Sequence, residues 1–195
     1  MRRLLFCLLL VPMLLVRTSG LDAETHERLR SVQGDFVQET HMKILARPLV
    51  SHGMLAFQAP ESLRWEYRDP VRSIMFMHKG TMEKMVERDG RFEQDQSVGA
   101  GSMQIILPEI SNWLDGRFAE NPIFITNRID ERTIVLTPKD PGLQAIISSI
   151  ELRLGEQEGV MESVTIHEGP DAFTRLTFSN IVVNREIPES FFSRQ

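Results

Sequence analysis

Leu63-Arg64-Trp65-Glu66-Tyr67-Arg68 alternates apolar and charged residues without a break. Successive side chains of an extended strand point to opposite faces, so this period of two marks a sheet with one face in water and one against a core. Ile150-Glu151-Leu152-Arg153-Leu154 repeats it, and looser versions run through residues 35–44, 50–58, 72–78, 82–87, 123–129, 133–137, 160–167, 174–178 and 181–183. Ala59-Pro60, Asp69-Pro70, Lys79-Gly80, Asp89-Gly90 and Glu168-Gly169-Pro170 separate them as turns. The implied fold is mainly β with a few helices: an antiparallel meander of about ten strands, with no internal repeat or low-complexity linker.

One stretch departs from this period. Met103, Ile106, Leu107, Ile110, Trp113 and Leu114 follow the i, i+3, i+4, i+7, i+10, i+11 spacing of a helical face, with Pro108 opening a second short helix after Gly99 and Gly101. A further short helix is expected after Asp22 as N-cap, with Leu21, Leu29 and Val32 on its apolar side and Gly34 at its end. About ten apolar strand faces need more cover than about thirty helical residues can give. The sheet is therefore expected to curl around its own apolar face as a barrel or an incomplete barrel, wider than side chains alone can fill. A cavity should result, with the 103–114 helices as its plug or lid.

Arg2 and Arg3 precede an apolar run at residues 4–16, and Thr18 and Gly20 stand at the −3 and −1 positions of a signal peptidase site. Residues 1–20 read as a signal peptide too short to span a bilayer stably, and residues 21–195 as one exported domain. The single cysteine, Cys7, falls inside the leader. No lipobox therefore lies near Gly20, and no disulfide or thiolate site is left for the mature chain. A soluble, exported protein without an anchor, beginning near Leu21, is expected. Apolar residues make up 42% and charged residues 25%, the balance of a globular domain. The net charge of −5, about −8 once Arg2, Arg3 and Arg17 are removed, has the wrong sign for a nucleic-acid binder.

Catalytic signatures are missing. His26, His41, His52, His78 and His167 fall on separate elements without a metal-ligand spacing, and no nucleophile elbow, phosphate-binding glycine loop or zinc motif occurs. The acidic residues alternate with apolar ones, as on a solvated sheet face. The chain is read as a non-enzyme without cofactor or metal. Its methionines stand out instead: Met75, Met77, Met82 and Met85 cluster, and Ile74-Met75-Phe76-Met77 is apolar on both strand faces. Methionine adapts to irregular hydrocarbon, although an ordinary Met-filled core has the same composition. The combination points to a hydrophobic-ligand carrier or a lipid-sensing module.

Several short motifs carry a resemblance. They are Phe36-x-Gln38, the run 53–58 leading to Pro60 and Leu63-Arg64-Trp65, Asp69-Pro70, Val135-Leu136-Thr137-Pro138-Lys139, and Thr177-Phe178-Ser179-Asn180 followed by Phe191-Phe192. In this order and spacing they resemble the LolA family of periplasmic lipoprotein carriers over nearly the whole mature chain. The resemblance implies an incomplete antiparallel β-barrel with an α-helical lid. It also implies that lipoprotein acyl chains are taken from an inner-membrane ABC transporter and passed to an outer-membrane receptor. That receptor is similar in fold but is itself a lipoprotein, so the missing lipobox favours the soluble partner. A monomer without a second domain after Phe191-Phe192 is expected.

On this reading Leu55, Phe57, Leu63, Trp65, Tyr67, Met75 and Met77 line the cavity. Met103, Ile106, Leu107, Ile110, Trp113 and Leu114 face them from the lid. Leu63 stands where the family has a cavity-facing aromatic, and Trp65 matches the family tryptophan. Ala59-Pro60 replaces an Arg-Pro whose arginine holds the lid in the family, so apolar contact is expected to hold it here. A charge at Leu63 is expected to abolish binding and leave the fold intact. The alternatives are a LolA-like carrier of another lipid or polyketide-like ligand, and a lipid-sensing interaction module.

Overall fold

Alternation becomes hydrogen-bonded sheet in the computed structural model, which describes residues 29–79, 81–95, 109–110, 113, 121–156 and 160–193. The strands are β1 (Ser31–His41), β2 (Leu49–Gln58), β3 (Ser62–Asp69), β4 (Ser73–His78), β5 (Thr81–Arg88) and β6 (Arg91–Gln94), then β7 (Phe124–Arg128), β8 (Thr133–Pro138), β9 (Ser149–Leu154), β10 (Met161–Gly169) and β11 (Ala172–Val183). They form one 11-stranded sheet in the order β6-β5-β4-β3-β2-β1-β11-β10-β9-β8-β7. Every pairing is antiparallel. The first and last strands meet at the centre, while the edges β6 and β7 stay unpaired with each other, which leaves the barrel incomplete. Residues 95–123 join those two edges.

The inner face buries one contiguous core. Leu63 and Trp65 on β3 are at most 1% exposed and join Phe36 of β1, Leu55 and Phe57 of β2, Leu136 of β8, Leu152 of β9, Val164 of β10 and Leu176 of β11. Phe36 stacks on Trp65 with ring centroids 4.4 Å apart and meets Tyr67 edge-on at 5.3 Å. That stack needs Gly53, which pairs with both Phe36 and Tyr67. A β-carbon at Gly53 would overlap the Phe36 ring and the Glu66 carbonyl. Gly53→Ala is therefore expected to cost about 2 kcal/mol of stability through overpacking, read as a lower midpoint in urea at unchanged m-value.

The outer face has a smaller core that explains why β4 is apolar on both sides. Met75 and Met77 pair with Trp65 and Leu63 and face inward, whereas Ile74 and Phe76 pair with Glu66 and Arg64 and face outward. After β11 the chain returns across this outer side. Ile187 and Phe192 bury against Ala56, with Met54 and Phe191 at the margin. Arg64 fastens the returning segment: its Nη1 donates to the Phe191 carbonyl at 3.2 Å, and its guanidinium lies over the Phe76 and Phe191 rings at 5.1 and 4.8 Å. The same guanidinium donates to Glu66 Oε2 through Nε at 3.0 Å and Nη2 at 2.8 Å. Lys79 and His78 reach Glu189 of the 3-10 turn Glu189–Phe192; the Lys79 hydrogen bond is the main cause holding that carboxyl below its ordinary value.

Three sequence expectations change. Residues 31–34 are strand rather than the end of a helix, so β1 runs from Ser31 to His41 instead of 35–44. Leu29 and Val32 fit a helical spacing, but β1 is hydrogen-bonded on both sides, to β2 and β11, and that pairing overrides local preference. Residues 174–178 and 181–183 are one strand, β11, which carries Asn180 at φ 53° opposite an irregular register in β1. β6 was not expected, because its four residues are exposed on both faces and carry no alternation. Its origin is the turn at Asp89 and Gly90, whose positive φ values of 50° and 76° match a type I′ hairpin. The leader, Asp22, Gly99, Gly101 and Pro108 lie outside the described residues.

Candidate functional site

Inward positions are apolar at one end of the sheet and polar at the other. Along β1 the series is Val32, Phe36, Gln38 and Thr40, along β3 Leu63, Trp65 and Tyr67, and along β11 in reverse Phe178, Leu176 and Thr174. The polar ends bond to one another. Tyr67 Oη donates to Gln38 Oε1 at 2.7 Å, and Gln38 Nε2 donates to Thr40 Oγ1 at 3.3 Å. The Thr40 and Thr174 hydroxyls are 3.4 Å apart, and Thr174 Oγ1 donates to Glu168 Oε2 at 3.4 Å. Burial pushes the Tyr67 hydroxyl up to about 12, so it is a neutral donor throughout the physiological range.

At the apolar end, Val32, Leu55, Ile110, Val160, Met161, Phe178 and Ile181 line a cleft of about 340 Å³ measured out to open solvent. Its enclosed part is about the size of one water molecule. Ile110 lines the cleft, and Trp113 belongs to the same core cluster. Both are helical, 3% and 2% exposed, and part of the inner core cluster. Neighbouring Glu109 is also buried and accepts a hydrogen bond from Asn121 Nδ2. Asn121 in turn accepts from the Ile123 and Phe124 amides at 2.8 and 2.9 Å, and its carbonyl accepts from Lys139 Nζ at 2.9 Å. The helical residues are thereby tied to the start of β7.

The expected site residues divide as follows. Leu55, Phe57, Leu63 and Trp65 are inward and at most 3% exposed, and Tyr67, Met75 and Met77 pack partly buried against the same cluster. Ile110 and Trp113 join them, while Met103, Ile106, Leu107 and Leu114 lie outside the described residues. Leu63, expected on a loosely packed wall, is 1% exposed because the concave side is filled by side chains. Ala59 occupies the β2–β3 turn, partly buried against the core, with its amide donating to the Arg30 carbonyl at 2.9 Å. Sequence reasoning missed Val32, Val160, Met161, Phe178 and Ile181 as cleft residues, although each sits on or beside a strand run. It also missed Glu109 and Asn121, for which no local pattern exists. The indole N–H groups of Trp65 and Trp113 are buried without a hydrogen-bond acceptor. Among the described residues, no three His, Cys, Asp or Glu side chains are grouped to hold a metal, and no helix is long and apolar enough to cross a membrane.

No curated protein sequence matches the chain. Solved structures similar to it include a DUF1329 family protein from Desulfovibrio piger, at 11% identity and TM-score 0.47, covering 86% of this chain and 91% of that one. A LolA superfamily protein from Nitrosomonas europaea matches at 11% identity and TM-score 0.41, covering 85% and 91%. The lipoprotein LppX of Mycobacterium tuberculosis matches at 14% identity and TM-score 0.41, covering 82% and 89%. The family model for LolA, outer membrane lipoprotein carrier protein, spans residues 27–195. That span takes in every strand of the sheet together with Ile110 and Trp113, and the chain therefore belongs to the LolA family.

Proposed function

We propose that the protein is a monomeric periplasmic carrier that holds the acyl chains of a lipoprotein against the inner face of its sheet. On this reading an inner-membrane ABC transporter loads it and an outer-membrane receptor unloads it, with residues 1–20 removed on export and residues 21–195 forming the carrier. The observation that carries the proposal is the inner face itself: a continuous apolar surface from Val32 to Trp65, filled by Ile110 and Trp113 and ending in a belt of hydroxyls and amides. An acyl chain replaces the helical side chains against this surface while its polar head meets the belt.

The energetics fit a non-enzymatic role. Each methylene kept from water is worth about 0.8 kcal/mol, so a chain of ~15 carbons needs on the order of 12 kcal/mol of shelter while crossing an aqueous compartment. No bond has to be made or broken. Native mass spectrometry of protein recovered from its own periplasm tests this reading. A co-purifying acylated species supports it, and a ligand without hydrocarbon chains contradicts it.

The Glu109–Asn121 contact sets how readily the helical residues yield. Asn121→Ala removes a donor to the buried Glu109 carboxyl and the acceptor of the Ile123 and Phe124 amides. The expected result is a loss of about 2 kcal/mol in stability and faster uptake of a fluorescent acyl probe in stopped flow. Unchanged uptake would mean that the segment yields elsewhere.

A further inference from the structure

The turn between β1 and β2 and the first two residues of β2 read Met42-Lys43-Ile44-Leu45-Ala46-Arg47-Pro48-Leu49-Val50, two basic residues and no acid, in a chain whose net charge is −5. Four apolar side chains of this stretch are exposed. Ile44 is 88% exposed, Leu49 56%, Val50 40% and Met42 37%. Singly exposed aliphatics are ordinary, but four within nine residues at one end of the sheet, two on the turn and two at the start of β2, are a concentration. The turn is supported from below: the Leu45 amide donates to the Met42 carbonyl at 2.9 Å, and His41 stacks on Phe173 of β11 with centroids 4.2 Å apart. Lys43 makes an ion pair with Asp171 at 3.1 Å in which both side chains stay largely exposed. Val71, 60% exposed, lies on the β3–β4 turn at the same end of the sheet, where Asp69 pairs with His52.

From this patch we infer that the β1–β2 turn is a docking element for an anionic lipid bilayer. Exposed aliphatics beside cations select the occupant, because a bilayer surface takes up apolar side chains without requiring a matching shape. The charge agrees, because Lys43 and Arg47 flank Ile44 at the level where lipid phosphates would sit. Docking there also directs the polar-belt end of the inner face, with Gln38, Thr40 and Thr174, toward the membrane. The inference thus builds on the carrier reading by naming a surface at which exchange takes place.

Flotation with vesicles tests it, using phosphatidylcholine alone and phosphatidylcholine with about a third phosphatidylglycerol. The exported protein is expected to float with the anionic vesicles and not with the neutral ones. Ile44→Asp/Leu49→Asp and, separately, Lys43→Gln/Arg47→Gln should each lower the bound fraction at least tenfold, with unchanged melting and unchanged uptake of an acyl probe. Equal flotation of all three proteins, or none of the wild type, overturns the inference. So does a concentration-dependent dimer that the aspartate pair abolishes, since the occupant would then be a second copy. Vesicle docking without any acyl uptake would sink the carrier reading and leave the docking element standing.

Discussion

Leu63→Glu is expected to unfold the protein rather than merely empty its site. Leu63 is 1% exposed and opposes Phe57 on β2 and Met77 on β4, inside the cluster that contains Trp65, Ile110 and Trp113. Removing a buried leucine costs about 2–5 kcal/mol, and a carboxylate with no partner at that depth adds several more. The sum approaches the whole stability of a small domain, about 5–15 kcal/mol. Loss of the cooperative melt at neutral pH, with partial recovery at acid pH where the carboxyl is neutral, is the outcome to look for by circular dichroism. A cooperative melt near the wild-type temperature would instead mean that the inner face opens readily at this point. Ile181→Glu is the matching probe of binding, because Ile181 lines the cleft and is only partly buried.

Arg64→Ala is expected to cost about 3 kcal/mol and to detach the returning C-terminal segment. Arg64 and Glu66 are each 14% exposed, so removing the cation leaves a carboxylate largely out of water with only Arg68, 3.8 Å away and half exposed, to compensate. The loss extends beyond the ion pair. Two cation–π contacts and the hydrogen bond to the Phe191 carbonyl go with it, uncovering Phe76, Ile187 and Phe192. Hydrogen exchange should show faster exchange at 187–192 and on β4, with β8 and β9 unchanged. Arg64→Lys should recover only part of the loss, since an ammonium cannot reproduce the paired contact to Glu66. Equal protection of 187–192 in wild type and variant would show that the segment is held by its phenylalanines alone.

Strand content was legible because half-buried strands must alternate, and the runs at 63–68 and 150–154 do so strictly. β6 was not legible, since an exposed edge strand has no inner face to impose a pattern. The outer core was hidden for another reason: Phe76 is covered by Arg64, whose guanidinium also lies over Phe191, more than a hundred residues away in the chain. Arg64 and Glu66 looked like a solvated face for the same reason. Within the site, Trp65 and Ile110 could be chosen from local spacing. The Glu109–Asn121 contact joins a helix to the start of a strand, and no periodicity announces it.

The chain has two tryptophans, Trp65 and Trp113, and both lie in the inner core. A bromine atom quenches indole fluorescence only near contact, so titration with a phospholipid carrying a dibrominated stearoyl chain reports whether hydrocarbon enters between the sheet and Ile110 and Trp113. The carrier account predicts saturable quenching of most of the emission, at one lipid per protein, competed by the unbrominated lipid. Emission that stays constant while the lipid is shown to be bound would place the hydrocarbon outside the inner face and contradict the account.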